Sequence, residues 1–145
     1  MTNQLSKKDK GFTIIEVVLV LAIAGLIFLI VFLALPQLQQ SRRDTQRRND
    51  AGRVVATLET YAGNNNGRYP NSNNERNDFE DNYLFNDIFD DPQEGQYSIE
   101  WGANQADVGE IAIDVGENCN DSNNASRDVS VRVGLEEGSY CQDNR

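Results

Sequence analysis

From Val17 to Leu35 the chain reads VVLVLAIAGLIFLIVFLAL, nineteen consecutive positions that are apolar or glycine. A helix rises 1.5 Å per residue, so about 20 such residues match a bilayer core of ~30 Å. A cleaved secretory signal has an apolar stretch of only about 7–15 residues, followed by a small-residue cut site. This run is longer and meets Pro36 without such a site, so it is expected to stay with the protein. Pro36 lacks an N–H and crowds the preceding turn, which predicts a break or kink there. Beyond it, Ala51, Val54, Val55, Leu58, Tyr61 and Ala62 recur at i, i+3, i+4 and i+7. That spacing predicts an amphipathic helix over 37–62 that stops before Gly63, with Arg43, Arg47, Asp50 and Arg53 on its other face.

Gly63-Asn64-Asn65-Asn66-Gly67 is a loop by composition, and a short helix is expected around Phe79 to Phe89. The turn signals Asp91-Pro92 and Glu94-Gly95 close it. Tyr97 to Trp101, Ile111 to Val115 and Val129 to Val133 alternate apolar and polar residues, which predicts strands, with a fourth short strand over Ser139 to Cys141. Alternation of this kind suits an antiparallel meander with one buried face, covered by the amphipathic helix. Ile99, Trp101, Ile113, Val131 and Val133 are the expected core. The class is α+β: a long N-terminal helix packed on a small antiparallel β-sheet head.

Composition adds two constraints. Outside the apolar block the chain is rich in Asn, Asp, Gly and Ser, so its core is thin and needs support from the helix and from the two cysteines. Net charge is −10; residues 1–11 carry +2, and their removal leaves −12. Such a surface repels nucleic acid and suits an exported, soluble head. There is no histidine, which removes the usual general base and the commonest transition-metal ligand. No phosphate-binding glycine loop is present and no carboxylate pair stands out, so no enzyme activity, catalytic residue, cofactor or metal site is expected.

Cys119 and Cys141 are too far apart for C-x-x-C redox chemistry and, without histidine, make a poor zinc set. A structural disulfide closing a loop of about 23 residues is the best reading, worth roughly 3 kcal/mol on the chain-entropy model. Within the loop, Asn120-Asp121-Ser122 and Asn124-Ala125-Ser126 fit the N-x-S sequon. Its Asp and Asn oxygens could also meet calcium, although no EF-hand spacing is present.

Glu16 stands beside the apolar run, where a carboxylate at the centre of a lipid-embedded helix costs about 2.5–3.5 kcal/mol. Two readings are open: Glu16 stays solvated among headgroups, or a positive group on a neighbouring chain neutralises it. A cut between Gly11 and Phe12 would create such a group, an α-amine about one helical turn from Glu16.

Lys10-Gly11-Phe12-Thr13-Ile14-Ile15-Glu16 resembles the type III signal of type IV prepilins, with a short basic leader (Lys7, Lys8, Lys10), Gly before the cut, an aromatic first mature residue and Glu as the fifth. The resemblance implies cleavage after Gly11 by a prepilin peptidase (a membrane aspartyl protease), methylation of Phe12, and docking guided by Glu16 pairing with the amine of an adjacent subunit. Gly25 matches a helix-weakening glycine of the family, and Pro36 its proline, three residues later than usual. Gly67-Arg68-Tyr69-Pro70 is similar to an element that follows the long helix in pilins and pseudopilins. On this basis the chain divides into a leader (1–11), a transmembrane and assembly helix (12–36), an amphipathic helix (37–62) and a β-rich head with a C-terminal disulfide loop (63–145).

Further expectations follow from that resemblance. The protein is a single-pass precursor in the cytoplasmic membrane, then part of a homopolymeric pilus on a prokaryotic cell surface, built by the pilus assembly machinery for adhesion, motility or DNA uptake. Lysines and arginines flank the apolar run on both sides, so charge leaves the orientation open, and the N-terminus is placed inside on the strength of the cysteines and the acidic remainder. Arg42 to Arg48 could meet anionic lipid, remain solvated, or oppose an acidic head on an adjacent subunit. The alternatives within the same machinery are a pseudopilin of a secretion or competence system and a minor or tip adhesin. Pseudopilins of the major type often have a calcium site in place of a disulfide, so the cysteine pair favours the pilus.

Overall fold

An apolar run with every backbone group bonded inside its own segment is stable only as a helix or a closed sheet, and here it is helix. The computed structural model describes residues 11–84, 90–120 and 127–145. Two compact units, Met1–Gln39 and Gln40–Arg145, divide the chain. Helix α1 spans Ile14–Asn64, 51 residues, with Pro36 inside it. In the first unit its side chains are exposed almost throughout, and the stretch is long and apolar enough to cross a membrane.

The segments 12–36 and 37–62 thus lie largely on one continuous helix, which contains both Gly25 and Pro36, so the expected break at Pro36 is absent. An interior proline removes one i→i−4 bond and costs about 3 kcal/mol. Ending the helix there would free further carbonyls and amides, each worth several kcal/mol where no water can reach them. The helix stops at its far end by a different device. Asn66 takes a left-handed φ of 58°. Its neighbour Gly67 donates its N–H to the Ala62 carbonyl at 2.7 Å, the six-to-one bond of a Schellman cap.

In the second unit, α2 (Asn73–Phe79) is opened by a capping box in which Ser72 and Glu75 exchange side-chain and backbone bonds. A π-helical turn, Glu80–Leu84, continues it. The helix expected over Phe79 to Phe89 therefore lies upstream, and residues 85–89 are outside the described residues. A small antiparallel hairpin follows, β1 (Asp90–Asp91) with β2 (Gly95–Gln96), built on the expected turn.

The main sheet contains β3 (Ser98–Trp101), β4 (Glu110–Val115), β5 (Val129–Gly134) and β6 (Ser139–Asp143) in that order. The pairs β4–β5 and β5–β6 are antiparallel, but β3 runs parallel to β4, with Ile99 opposite Ile111 and Trp101 opposite Ile113. The meander is thus mixed. Alternation determines which face a residue takes and is blind to strand direction. Residues 102–109 carry the chain back along β3, starting and ending on glycines of positive φ, Gly102 at 79° and Gly109 at 83°. This return segment lies hard against Gly134, where a Cβ would run into the Asp107 carbonyl and the Val108 amide.

One face of the sheet presents Ile111, Ile113, Val129, Val131 and Val133, all buried, to Ala51, Val54, Val55, Leu58 and Tyr61 of α1. Ile99 and Trp101 are only partly buried, because β3 is an edge strand. Trp101 caps an aromatic group instead: Phe79 meets it edge-on at 6.0 Å, and Tyr61 meets Phe79 at 5.8 Å. Such pairs add about 0.5–1.5 kcal/mol each beyond their burial.

Gly134→Ala is expected to destabilise the full chain by about 1–3 kcal/mol through overpacking against residues 107–108. Thermal unfolding in detergent micelles checks this, and an unchanged melting temperature would mean that the return segment does not rest on β5.

Candidate processing and assembly site

Helix α1 begins where its first side chains can satisfy its free amides. The Thr13 carbonyl accepts the first helical bond from the Val17 N–H at 3.3 Å, which makes Thr13 the N-cap. Its hydroxyl accepts the Glu16 N–H at 3.4 Å, while the Glu16 Oε2 accepts the Thr13 N–H at 2.9 Å and the Thr13 hydroxyl at 2.8 Å. This is a reciprocal capping box. The Thr-x-x-Glu spacing could have announced it from the sequence, as could Ser72-x-x-Glu75 for α2, and the sequence reading missed both.

The site residues near the N-terminus therefore fall into two groups. Gly11, Phe12 and Thr13 are exposed and non-helical, with Phe12 90% exposed. Glu16 sits on the first turn and is bonded within its own chain. Gly25 has open space where a Cβ would be.

The basic stretch of α1 behaves differently from the sequence expectation. Arg47 has no exposed side-chain surface. Its Nε donates to the Asp91 Oδ2 at 2.6 Å, its second terminal nitrogen to the Asp91 Oδ1 at 3.1 Å, and its first to the Asp44 Oδ1 at 3.0 Å. Arg43 pairs with Glu136, and the Glu136 N–H donates to Asp44 at 3.1 Å. Arg48 lies over the Tyr140 ring, 5.3 Å from its centre. Arg43 and Arg47 are thus spent inside their own head, tying α1 to β1 and to the turn between β5 and β6. Neither lipid nor an acidic neighbour is needed to explain them.

Charge energetics follow from burial. Burial alone would push the Asp91 carboxyl up, but bonds from Arg47 and from the Glu94 and Gln93 amides outweigh it and hold its pKa below the ordinary 3.8. The bonds to Asp91 and Asp44 in turn push the Arg47 guanidinium above its ordinary value, against the effect of burial. Asp50 differs: burial raises its pKa more than the Tyr97 hydroxyl and Arg53 lower it. Asp114 is likewise raised by burial despite Arg132.

At the other end, Cys119 and Cys141 are joined, with Cα atoms 5.8 Å apart. Cys141 faces away from α1, on the same face as Arg132 opposite it in β5. Around the bridge the C-terminus is tied down. The Cys119 N–H donates to Asp143 at 3.0 Å, Asn144 donates to the Tyr69 hydroxyl at 3.0 Å, and Arg145 grips both oxygens of Asp128. Of the two sequons, Asn120 is exposed, and Asn124 lies outside the described residues. Among the described residues no group of three His, Cys, Asp or Glu is placed to hold a metal ion.

Residues 6–32 match the family model described as the prokaryotic N-terminal methylation motif, the type IV prepilin signal. The match takes in Gly11, Phe12, Glu16 and Gly25, and leaves Pro36 and the head outside it. No curated protein and no solved structure matches the chain.

Asp91→Asn leaves the buried Arg47 charge without its carboxylate and is expected to cost about 3–5 kcal/mol at neutral pH. Because the Asp91 pKa is depressed, its contribution is complete above about 3.8 and is lost as pH falls through the lower folded value. Asp50 and Asp114, with raised values, act in the opposite sense just above that range. Denaturant titrations across pH 2–7 should therefore show the mutant's deficit closing in acid. A deficit that stays constant with pH would refute the assignment to this carboxylate.

Proposed function

We propose that this chain is a structural subunit of a type IV pilus, cleaved after Gly11 and polymerised through its N-terminal helix, and that it is not an enzyme. The observation that carries the reading is the prepilin signal over residues 6–32 running directly into an apolar helix whose side chains find no cover in their own unit. A helix of that kind needs lipid before assembly and other copies of itself afterwards. Hydrolysis of the Gly11–Phe12 bond adds water across it, leaving a carboxylate on Gly11 and an ammonium on Phe12. In the filament that ammonium, methylated, is the partner of Glu16 on an adjacent subunit. The partners are therefore a prepilin peptidase, the membrane, the assembly machinery and further copies of the chain.

Two features support this reading. Every lysine of the chain, Lys7, Lys8 and Lys10, precedes the cut. The mature subunit thus has one amine, at Phe12, and no lysine through which to form isopeptide links, which fits non-covalent assembly. The Cys119–Cys141 bridge suits an exported head and favours the pilus over a secretion pseudopilin.

Intact mass and N-terminal sequencing of filaments sheared from cells test it. The expected chain starts at Phe12 with an added methyl group and lacks the thiol hydrogens of Cys119 and Cys141. An amine-reactive label should then land on Phe12 alone. Recovery of the uncut chain in the membrane fraction, with none in filaments, would refute the proposal.

A further inference from the structure

We infer that the Thr13 hydroxyl is a positioning residue for the cleavage, keeping the Gly11–Phe12 bond out of the helix so that a protease can take it. This rests on the prepilin reading and on a competition between hydrogen bonds. For α1 to grow by one residue toward the N-terminus, the Phe12 carbonyl must accept the Glu16 N–H. That N–H already points at the Thr13 hydroxyl oxygen, and the Thr13 N–H, which growth of the helix would turn along its axis, is held by the Glu16 carboxylate. The box therefore stops the helix at Ile14 and leaves Gly11, Phe12 and Thr13 non-helical.

The stop matters because of what lies on either side. A peptide bond inside a helix has its N–H and C=O engaged and its faces covered, whereas proteases bind extended segments through those same groups. Gly11 has no neighbour within 4 Å of where a side chain would begin, and Phe12 is open to its surroundings. In or near a bilayer the pressure is toward more helix, since an amide without a partner costs several kcal/mol there. An alanine at position 13 offers no acceptor and is the best helix former, so both changes favour extension through Phe12. The glycine before the cut resists helix as well, but it forms the acyl side of the bond and does not by itself keep Phe12 out of the helix.

The test uses the full-length precursor in membranes with a prepilin peptidase, comparing wild type, Thr13→Ala and Thr13→Ser. Thr13→Ala should lower the initial rate at limiting substrate about fivefold, the size of an N-cap hydroxyl expressed as an equilibrium constant. The loss should fall on KM rather than kcat, because only the fraction of chains with an open bond can bind. Thr13→Ser keeps the oxygen and should restore most of the rate. Carbon chemical shifts in micelles should turn helical at Phe12 in the alanine variant alone. If wild type is cut after Gly11 and the alanine variant is cut equally fast, or if serine fails to rescue, the inference is overturned while the prepilin reading survives. If wild type is not cut after Gly11, both fall.

Discussion

The constraint on which everything else depends is that the apolar side chains between Val17 and Leu35 cannot be buried within their own unit. Large residues there, such as Leu21, Phe28 and Phe32, are each more than half exposed. Removing one such side chain from water is worth about 1.5–3 kcal/mol, so the stretch as a whole forfeits tens of kcal/mol in an aqueous monomer. That is larger than the entire stability of an ordinary domain. Cover has to come from outside that unit, and lipid or another protein surface can supply it. Lipid satisfies the side chains but does nothing for Glu16, whose carboxylate bonds Thr13 alone among the described residues. In the proposed filament, a second copy with a free α-amine would satisfy both.

The second unit solves the opposite problem, a core too thin to hold a domain by itself. Among the described residues one sheet face and one helix stripe supply most of the core, and Phe79, Leu84, Tyr97 and Leu135 close its edges. What fixes the stripe over the sheet is polar. Arg47, fully buried, is saturated by Asp91 and Asp44 from two directions, and Tyr97 reaches Asp50 one turn further along α1. An ion pair of this kind adds little net energy over an apolar replacement, but breaking either half is costly. Its effect is to specify how α1 is rotated against the head, since a helix turned by one residue would leave a charge without a partner. The disulfide and the grip of Arg145 on Asp128 do the same for the C-terminal strand.

Much of this was legible in the residues. The unbroken apolar run, the 3.6-residue spacing from Ala51 to Ala62, the alternation in β4 and β5 and the cysteine pair all led to elements that are present. What was missed falls into three physical kinds. Pro36 was expected to break or kink the helix because its local penalty is large, and no break follows because a helix is cooperative and its neighbouring turns are intact. The parallel pairing of β3 with β4 depends on the path of residues 102–109, which hydrophobic period does not encode. The Arg47–Asp91 pair joins residues 44 positions apart, and nothing local distinguishes it from the solvated arginines beside it. The capping boxes at Thr13 and Ser72 belong to none of these, because their spacing was in plain view.

The charge balance bears on how a filament of such subunits would hold together. Arg43, Arg47, Arg132 and Arg145 are each paired with a carboxylate of their own chain. The chain after Gly11 nonetheless carries −12, and with no lysine and no histidine it has few cations left to offer a neighbour. In the proposed filament, contacts between heads would therefore bring like charges together. At physiological salt that repulsion is screened within about 8 Å and amounts to a weak cost at each exposed contact. Apolar burial along the helices exceeds it many times over. In such a filament cohesion would reside in the N-terminal helix, and the acidic heads would disfavour adhesion between filaments.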